Sequence, residues 1–253
     1  NAAFPAVLDF AFMRAAVDAA SGKSGTDLLA RLTDDDALYE GGKAAALQLP
    51  TFLGNHDAGR FAYFLREAKP AMSPQEELAR MMLGHAMLLT LRGVPTIYYG
   101  DEQGFAGTGN DQQARQDMFP SQVAEYNRDR LVGTSATTAA DNFATDHPLY
   151  MEIARLARLR VATAALSRGA TLVRASSDKP GLFAVSRFDP DNGREILVAF
   201  NTSDAPVTTQ VAIDPASRTF SSLSGDCQAT VTAPGSLTLR LPAFGYAVCA
   251  AQP

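Results

Sequence analysis

The sequence predicts an α/β first half followed by an all-β second half, and three observations carry that prediction. Two apolar segments, 47–54 and 94–100, end abruptly in the polar groups Asn55-His56-Asp57 and Asp101-Glu102. A short apolar run closed by polar and turn residues suits a strand covered on both faces, as in a parallel sheet. Between them Leu78, Met81, Met82, His85, Leu88 and Leu89 recur at helical spacing and mark a core-facing stripe. From about residue 168 the pattern shortens to brief alternating or apolar runs divided by turn residues, which indicates an antiparallel sandwich.

In chain order, 4–10 reads as a strand ending near Asp9. Helical patterns follow over 11–20, closed by Ser21-Gly22, and over 26–39, closed by Gly41-Gly42. After the strand 47–54, the helix 74–91 has a clear start: Ser73 as N-cap, Pro74 at the first helical position, Glu76 and Glu77 in the first turn. The strand 94–100 leads into an irregular stretch, 101–147, and loops of that length in compact domains are usually functional or disordered. The helix 148–160 sets Leu149, Ile153, Leu156 and Leu159 on one side. Strands are expected over 182–188, 196–200, 210–213, 237–241 and 246–250, with Asp-Pro, Asp-Asn-Gly, Ser-Gly-Asp and Ala-Pro-Gly between them. The domain division falls at 1–165 and 166–253, and the second part is expected to have its own core and to be the better ordered half.

A 46% hydrophobic content supplies a real core, and 19% charged residues argues against disorder. The net charge of -5 lies in the first 160 residues, since 161–253 holds seven basic and seven acidic side chains. No basic cluster would attract nucleic acid or an anionic membrane. No apolar run approaches the roughly 18–20 residues of a membrane span, and Asn1-Ala2-Ala3-Phe4-Pro5 has neither an initiator Met nor a signal-peptide pattern. Cys227 and Cys249 share one small β-rich region, which suggests a disulfide and an extracellular or periplasmic location; two buried thiols are the alternative.

The segments Phe52-Leu53-Gly54-Asn55-His56-Asp57 and Gly93-Val94-Pro95-Thr96-Ile97-Tyr98-Tyr99-Gly100-Asp101-Glu102 resemble, in order, the seventh and eighth barrel strands of the α-amylase family, glycoside hydrolase family 13. The resemblance implies strands six to eight of a (β/α)8 TIM barrel followed by the family's β-sandwich. A parallel eight-stranded barrel takes about 250 residues, so the chain is expected to be the C-terminal portion of a longer protein.

What the resemblance implies for chemistry is an α-glucan-active retaining hydrolase. Retention needs two carboxyl groups about 5–5.5 Å apart, which the family draws from strands four and five. Neither a GxRxDxxxH motif nor the strand-five Glu is found here, so nucleophile and general acid are expected outside this chain. By motif match Asp57 is the family's third carboxylate, a transition-state stabiliser that binds sugar hydroxyls. His56 would bind the same sugar, Asn55 would buttress the turn and border the substrate, and Asp111 and Arg115 match a pair bordering the cleft. Arg60, Tyr99 and Glu102 are read as structural groups near the site, Arg60 as an ion-pair partner, and Gly100 as the point where the chain turns out of the strand.

His85 is read as a packed core histidine and His147 as a helix cap, and the three histidines have no metal-site spacing. No cofactor is expected in this chain; the family's calcium site draws on a part of the barrel outside it. With no Trp, and Tyr246 the β-half's one Tyr, that half reads as a stabilising cover rather than a starch-binding module. An α-glucosidase or transglycosylase of the same family, and a non-catalytic carbohydrate-binding or transport-accessory homologue, stay open, because fold and motif do not separate them. Partners are then an α-glucan and the remaining barrel segment.

Overall fold

The computed structural model describes residues 6–34, 41–109, 111–227, 231 and 235–252. Its first half is built on helices. α1 (Phe10–Ser21) is capped by the Asp9 carboxylate, which accepts from Phe12 N, and ends in a left-handed Gly22. α2 (Asp27–Asp34) and α3 (Gly42–Ala46) precede β1 (Pro50–Thr51). α4 (Phe61–Ala68) and α5 (Pro74–Thr90) then lead to β2 (Val94–Pro95). Ser73 Oγ caps α5 by accepting from Glu76 N at 3.1 Å. Gly84 lets α4 approach, because a Cβ there would stand 2.4 Å from the Phe61 ring.

Three expectations for this half need correction. The expected strand at 4–10 is not formed in its described part: Ala6–Asp9 lack a ladder and Phe10 opens α1. One backbone bond, from Asp9 N to Pro50 O at 3.0 Å, sets that segment beside β1. The strands at 47–54 and 94–100 shrink to a two-residue parallel ladder, Pro50 with Val94 and Thr51 with Pro95. Leu47 already caps α3, and after Pro95 the chain leaves the ladder for the site, so the apolar runs are longer than the pairing they support. Of the helix expected at 26–39, residues 35–39 lie outside the described residues. α4 was not legible, since its sequence follows the polar strand end without a capping residue: Arg60 makes no side-chain cap bond.

α6 (Pro148–Ala162) and α7 (Ala164–Arg168) carry the chain to an antiparallel sheet. This sheet orders β3 (Ala170–Ala175), β4 (Leu182–Phe188), β5 (Glu195–Asn201), β9 (Tyr246–Ala251) and β7 (Phe220–Ser224). β6 (Val207–Ala212) pairs with β8 (Ser236–Leu241) in a second ribbon. The two-residue alternation of a strand gives the sheet two apolar faces. Ala184, Leu197, Ala199, Cys249 and Ala251 face the ribbon's Val211, Leu237, Leu239 and Leu241. Phe183, Val185, Ile196, Val198 and Phe200 pack in the same cluster as Phe12, Leu29, Leu53, Phe61 and Met81 of the helical half. The β-half therefore has one core of its own, on the ribbon side, and shares a second with the helices. Burying a Phe or Leu is worth roughly 1.5–3 kcal/mol, and the shared cluster couples the halves.

Cys227 and Cys249 are joined, with Cα atoms 5.7 Å apart, tying the end of the β7 connection to β9. None of the described helices is long and apolar enough to cross a membrane.

Candidate functional site

The site grows from a turn at the end of β1. Asn55 and Gly59 exchange backbone bonds of 3.0 and 3.1 Å, closing a short loop. Asn55 Oδ1 accepts from the backbone N–H of Asp57 at 2.9 Å and of Ala58 at 2.7 Å. This is the mechanism by which Asx residues stabilise turns, and it engages the Asn55 oxygen in the loop itself. The loop tip presents His56 and Asp57 to solvent, their side chains 57% and 69% exposed, with His56 Nε2 3.4 Å from Asp57 Oδ1.

A second loop closes on this tip. Arg115 Nη2 donates to Asp111 Oδ1 at 2.6 Å and lies 3.4 Å from Asp57 Oδ1, while its Nε donates to His56 O at 3.3 Å. Asp111 N reaches Asp57 O at 3.4 Å, and Asp111 holds φ at 43°, a left-handed conformation that costs a non-glycine residue energy. His56, Asp57, Asp111 and Arg115, picked from two separate stretches of sequence, thus meet in one exposed polar cluster. Two carboxylates and one guanidinium leave it acidic and rich in hydrogen-bonding groups, suited to a polyhydroxylated ligand.

Beneath the tip, Arg60 is buried and anchors both loops. Its Nε donates to Gln116 Oε1 at 2.7 Å, and its Nη1 donates to Tyr99 O at 2.8 Å and lies 3.4 Å from Asp101 Oδ1. The guanidinium stacks over the rings of Tyr98, Tyr99 and Phe105, 4.5–5.1 Å from their centroids. Burial draws the Arg60 pKa down, and the Asp101 charge opposes that. Asp101 also lies 3.8 Å from Nε2 of His85, whose Nδ1 meets Met81 O at 2.8 Å within α5.

Gly100, at φ 86°, turns the chain into the 3₁₀ turn Asp101–Gln103, where a Cβ would strike the Phe105 ring at 2.6 Å. Glu102 Oε2 accepts from Gly100 N at 2.9 Å, and burial raises its pKa. Tyr99 OH donates to Gln116 O at 2.9 Å, and Tyr98 OH to Ala114 O at 3.0 Å; burial pushes the Tyr98 phenol up.

Gln116 is the residue that reading the sequence missed. Its amide accepts from Arg60 and donates to Asp129 Oδ2 at 3.2 Å, and it sits next to Arg115. A glutamine in an irregular polar stretch gives no periodic or motif signal. His147 caps α6, its Nδ1 accepting from Leu149 N at 3.1 Å. Among the described residues, no three His, Cys, Asp or Glu side chains group to hold a metal ion.

The family described as "Alpha amylase, catalytic domain" matches residues 2–173. The chain belongs to the α-amylase family. This family member is 40% identical over 256 residues to an α-amylase of Streptomyces lividans, covering 97% of the chain and 28% of that protein. It is 31% identical over 170 residues to a cyclomaltodextrin glucanotransferase of Paenibacillus macerans, covering 66% of the chain and 19% of that protein. The chain thus spans under a third of the length of these relatives. Among solved structures, the Geobacillus thermoleovorans α-amylase complexed with acarbose superposes with a TM-score of 0.74 at 18% identity, over 98% of this chain and 48% of that one. A cyclomaltodextrin glucanotransferase with a three-domain ABC distribution gives a TM-score of 0.71 at 25% identity, over 98% and 45%.

Proposed function

We propose that this chain is the C-terminal portion of a retaining α-glucan-active glycoside hydrolase, α-amylase-like in its action on starch or maltooligosaccharides. On this reading the helical half supplies strands six to eight of a (β/α)8 barrel, and residues 166–253 supply the following β-sandwich. Barrel enzymes place their chemistry at the carboxyl ends of strands, and the polar cluster lies beyond the carboxyl end of β1. The single observation that carries the reading is the convergence of His56, Asp57, Asp111 and Arg115 there, from loops 58 residues apart in sequence.

Asp57 then binds hydroxyls of the sugar at the cleavage point. Those bonds tighten as the ring distorts towards an oxocarbenium-like transition state, so they lower the barrier rather than merely hold substrate. Arg115 orients the Asp57 carboxylate, and His56 donates to the same sugar. The nucleophile and general acid come from the segment outside this chain, which lacks the motifs that would supply them. No cofactor enters the chemistry assigned to these residues, and calcium is assigned to that outside segment. The disulfide supports an extracellular or periplasmic location.

Transglycosylation is the second reading, because a glucanotransferase is among the relatives. The test is to assay the complete protein on starch and on maltooligosaccharides, separating hydrolysis from chain transfer by product length. Absence of both activities would overturn the proposal and leave a non-catalytic carbohydrate-binding role.

A further inference from the structure

The loop that brings Arg115 to Asp57 also carries an aromatic pair which no contact described above uses. Phe119 is 68% and Phe143 52% exposed. Their ring centroids are 5.1 Å apart with planes tilted by 59°. Single exposed apolar side chains need no explanation, but two phenylalanines that touch each other at the surface form a small apolar patch.

The pair is held in place by the backbone on either side. Ser121 N donates to Thr138 O at 2.8 Å, and Asn142 N to Met118 O at 2.9 Å, clamping the two segments that carry the rings. Asn127 reinforces the clamp, donating to Ser121 O and accepting from Thr138 Oγ1, both at 2.9 Å. The platform is therefore pre-organised, which reduces the entropy lost when a ligand settles on it.

We propose that Phe119 and Phe143 form a platform for a glucose ring of an α-glucan chain, an extension of the Asp57 cleft that selects longer substrates. The proposal rests on the reading of the complete protein as α-glucan-active. A glucose ring has an apolar C–H face that matches an aromatic face, and a hydroxyl rim that stays in water. Phe119 follows Arg115 by four residues, so the two Cα atoms are no more than about 14 Å apart. The proposal takes a chain of sugars bound at Asp57 to continue onto the platform.

The experiment measures KM and kcat of the complete protein for maltotriose and maltoheptaose, with Phe119→Ala, Phe143→Ala and the conservative Phe119→Tyr. The expected result is a KM for maltoheptaose raised roughly five-fold or more in the Ala variants. Maltotriose kinetics should stay at the parent value, and Phe119→Tyr should behave as the parent. Unchanged kinetics, or an equal loss on both substrates, would overturn the platform while leaving α-glucan activity intact. A parent protein inactive on every α-glucan would take down the functional reading, and the platform with it. A melting temperature lowered by more than about 5 °C in Phe119→Ala would show the rings covered by protein rather than open to sugar.

Discussion

Arg115 Nη2 lies 3.4 Å from Asp57 Oδ1 and at the same time donates to Asp111 Oδ1 at 2.6 Å. One guanidinium therefore ties the loop after β1 to the loop after β2 and lies against the Asp57 carboxylate. Because all three groups are exposed, the link orients rather than stabilises, as surface ion pairs contribute little to folding.

Asp57→Asn in the complete protein should lower kcat by roughly 10²-fold with KM changed far less, since its bonds strengthen in the transition state. Steady-state kinetics on a maltooligosaccharide measure this. A raised KM with kcat intact would make Asp57 an ordinary binding group.

Arg60→Met should destabilise strongly. It would remove the partner of Gln116 and Tyr99 O and leave the buried Asp101 without its guanidinium. Breaking a buried pair from one side costs about 3–5 kcal/mol, a fall of roughly 6–20 °C in melting temperature for a chain of this size. Calorimetry on Arg60→Met and Arg60→Lys decides it; a melting temperature matching the parent would mean the guanidinium is not the anchor.

Much of this was open to reading, and what was not has physical causes. Ser73-Pro74-Glu76 announces α5 because capping chemistry is local, and His147 announces α6 for the same reason. Asn55-His56-Asp57 and Tyr98–Glu102 stood out because polar groups closing an apolar run are uncommon in a core. Neither α4 nor Gln116 was legible, because what places them is packing against Gly84 and the reach of Arg60 across 56 residues. β3 and β7 escaped because their burial is irregular: one is an edge strand beside β4, the other an edge strand beside β9.

Stability should fall with pH through the histidine range on account of His147. Burial, the largest influence, lowers its pKa below the ordinary value, so the unfolded chain binds the proton more readily than the folded one. The sign follows: no penalty applies above the unfolded pKa near 6.5, and stability is lost as pH falls below it. Protonation also removes the Nδ1 acceptor that caps Leu149 N. Melting temperatures from pH 7.5 to 5 should decline for the parent and decline less for His147→Asn, which keeps a capping acceptor without titrating. Parallel slopes would place the titrating group elsewhere.

Reducing the disulfide, or Cys227→Ser with Cys249→Ser, should cost about 3 kcal/mol in the chain-entropy model for a loop of 22 residues. Chemical denaturation with and without reductant measures the difference. Equal midpoints, together with free thiols in the untreated protein, would remove the argument for an oxidising compartment.

The last prediction concerns the chain by itself: the β-half has its expected core on the ribbon side, while its other face is shared with the helices. Phe183, Val185, Ile196, Val198 and Phe200 pack with helical-half residues, so cutting the chain at 165/166 would expose five large apolar side chains on one sheet face. A patch of that kind favours aggregation. Residues 166–253 expressed alone should therefore be aggregated or only partly folded, whereas the full 253 residues should unfold in one transition seen equally by near- and far-ultraviolet dichroism. The full chain should also turn over no starch or maltooligosaccharide, because its sequence holds neither the GxRxDxxxH motif nor the strand-end Glu from which the family draws its nucleophile and general acid. A monomeric, cooperatively folding 166–253 would show that the ribbon-side core suffices without the helices. Measurable turnover by the 253 residues would mean that the nucleophile and general acid are present in this chain after all.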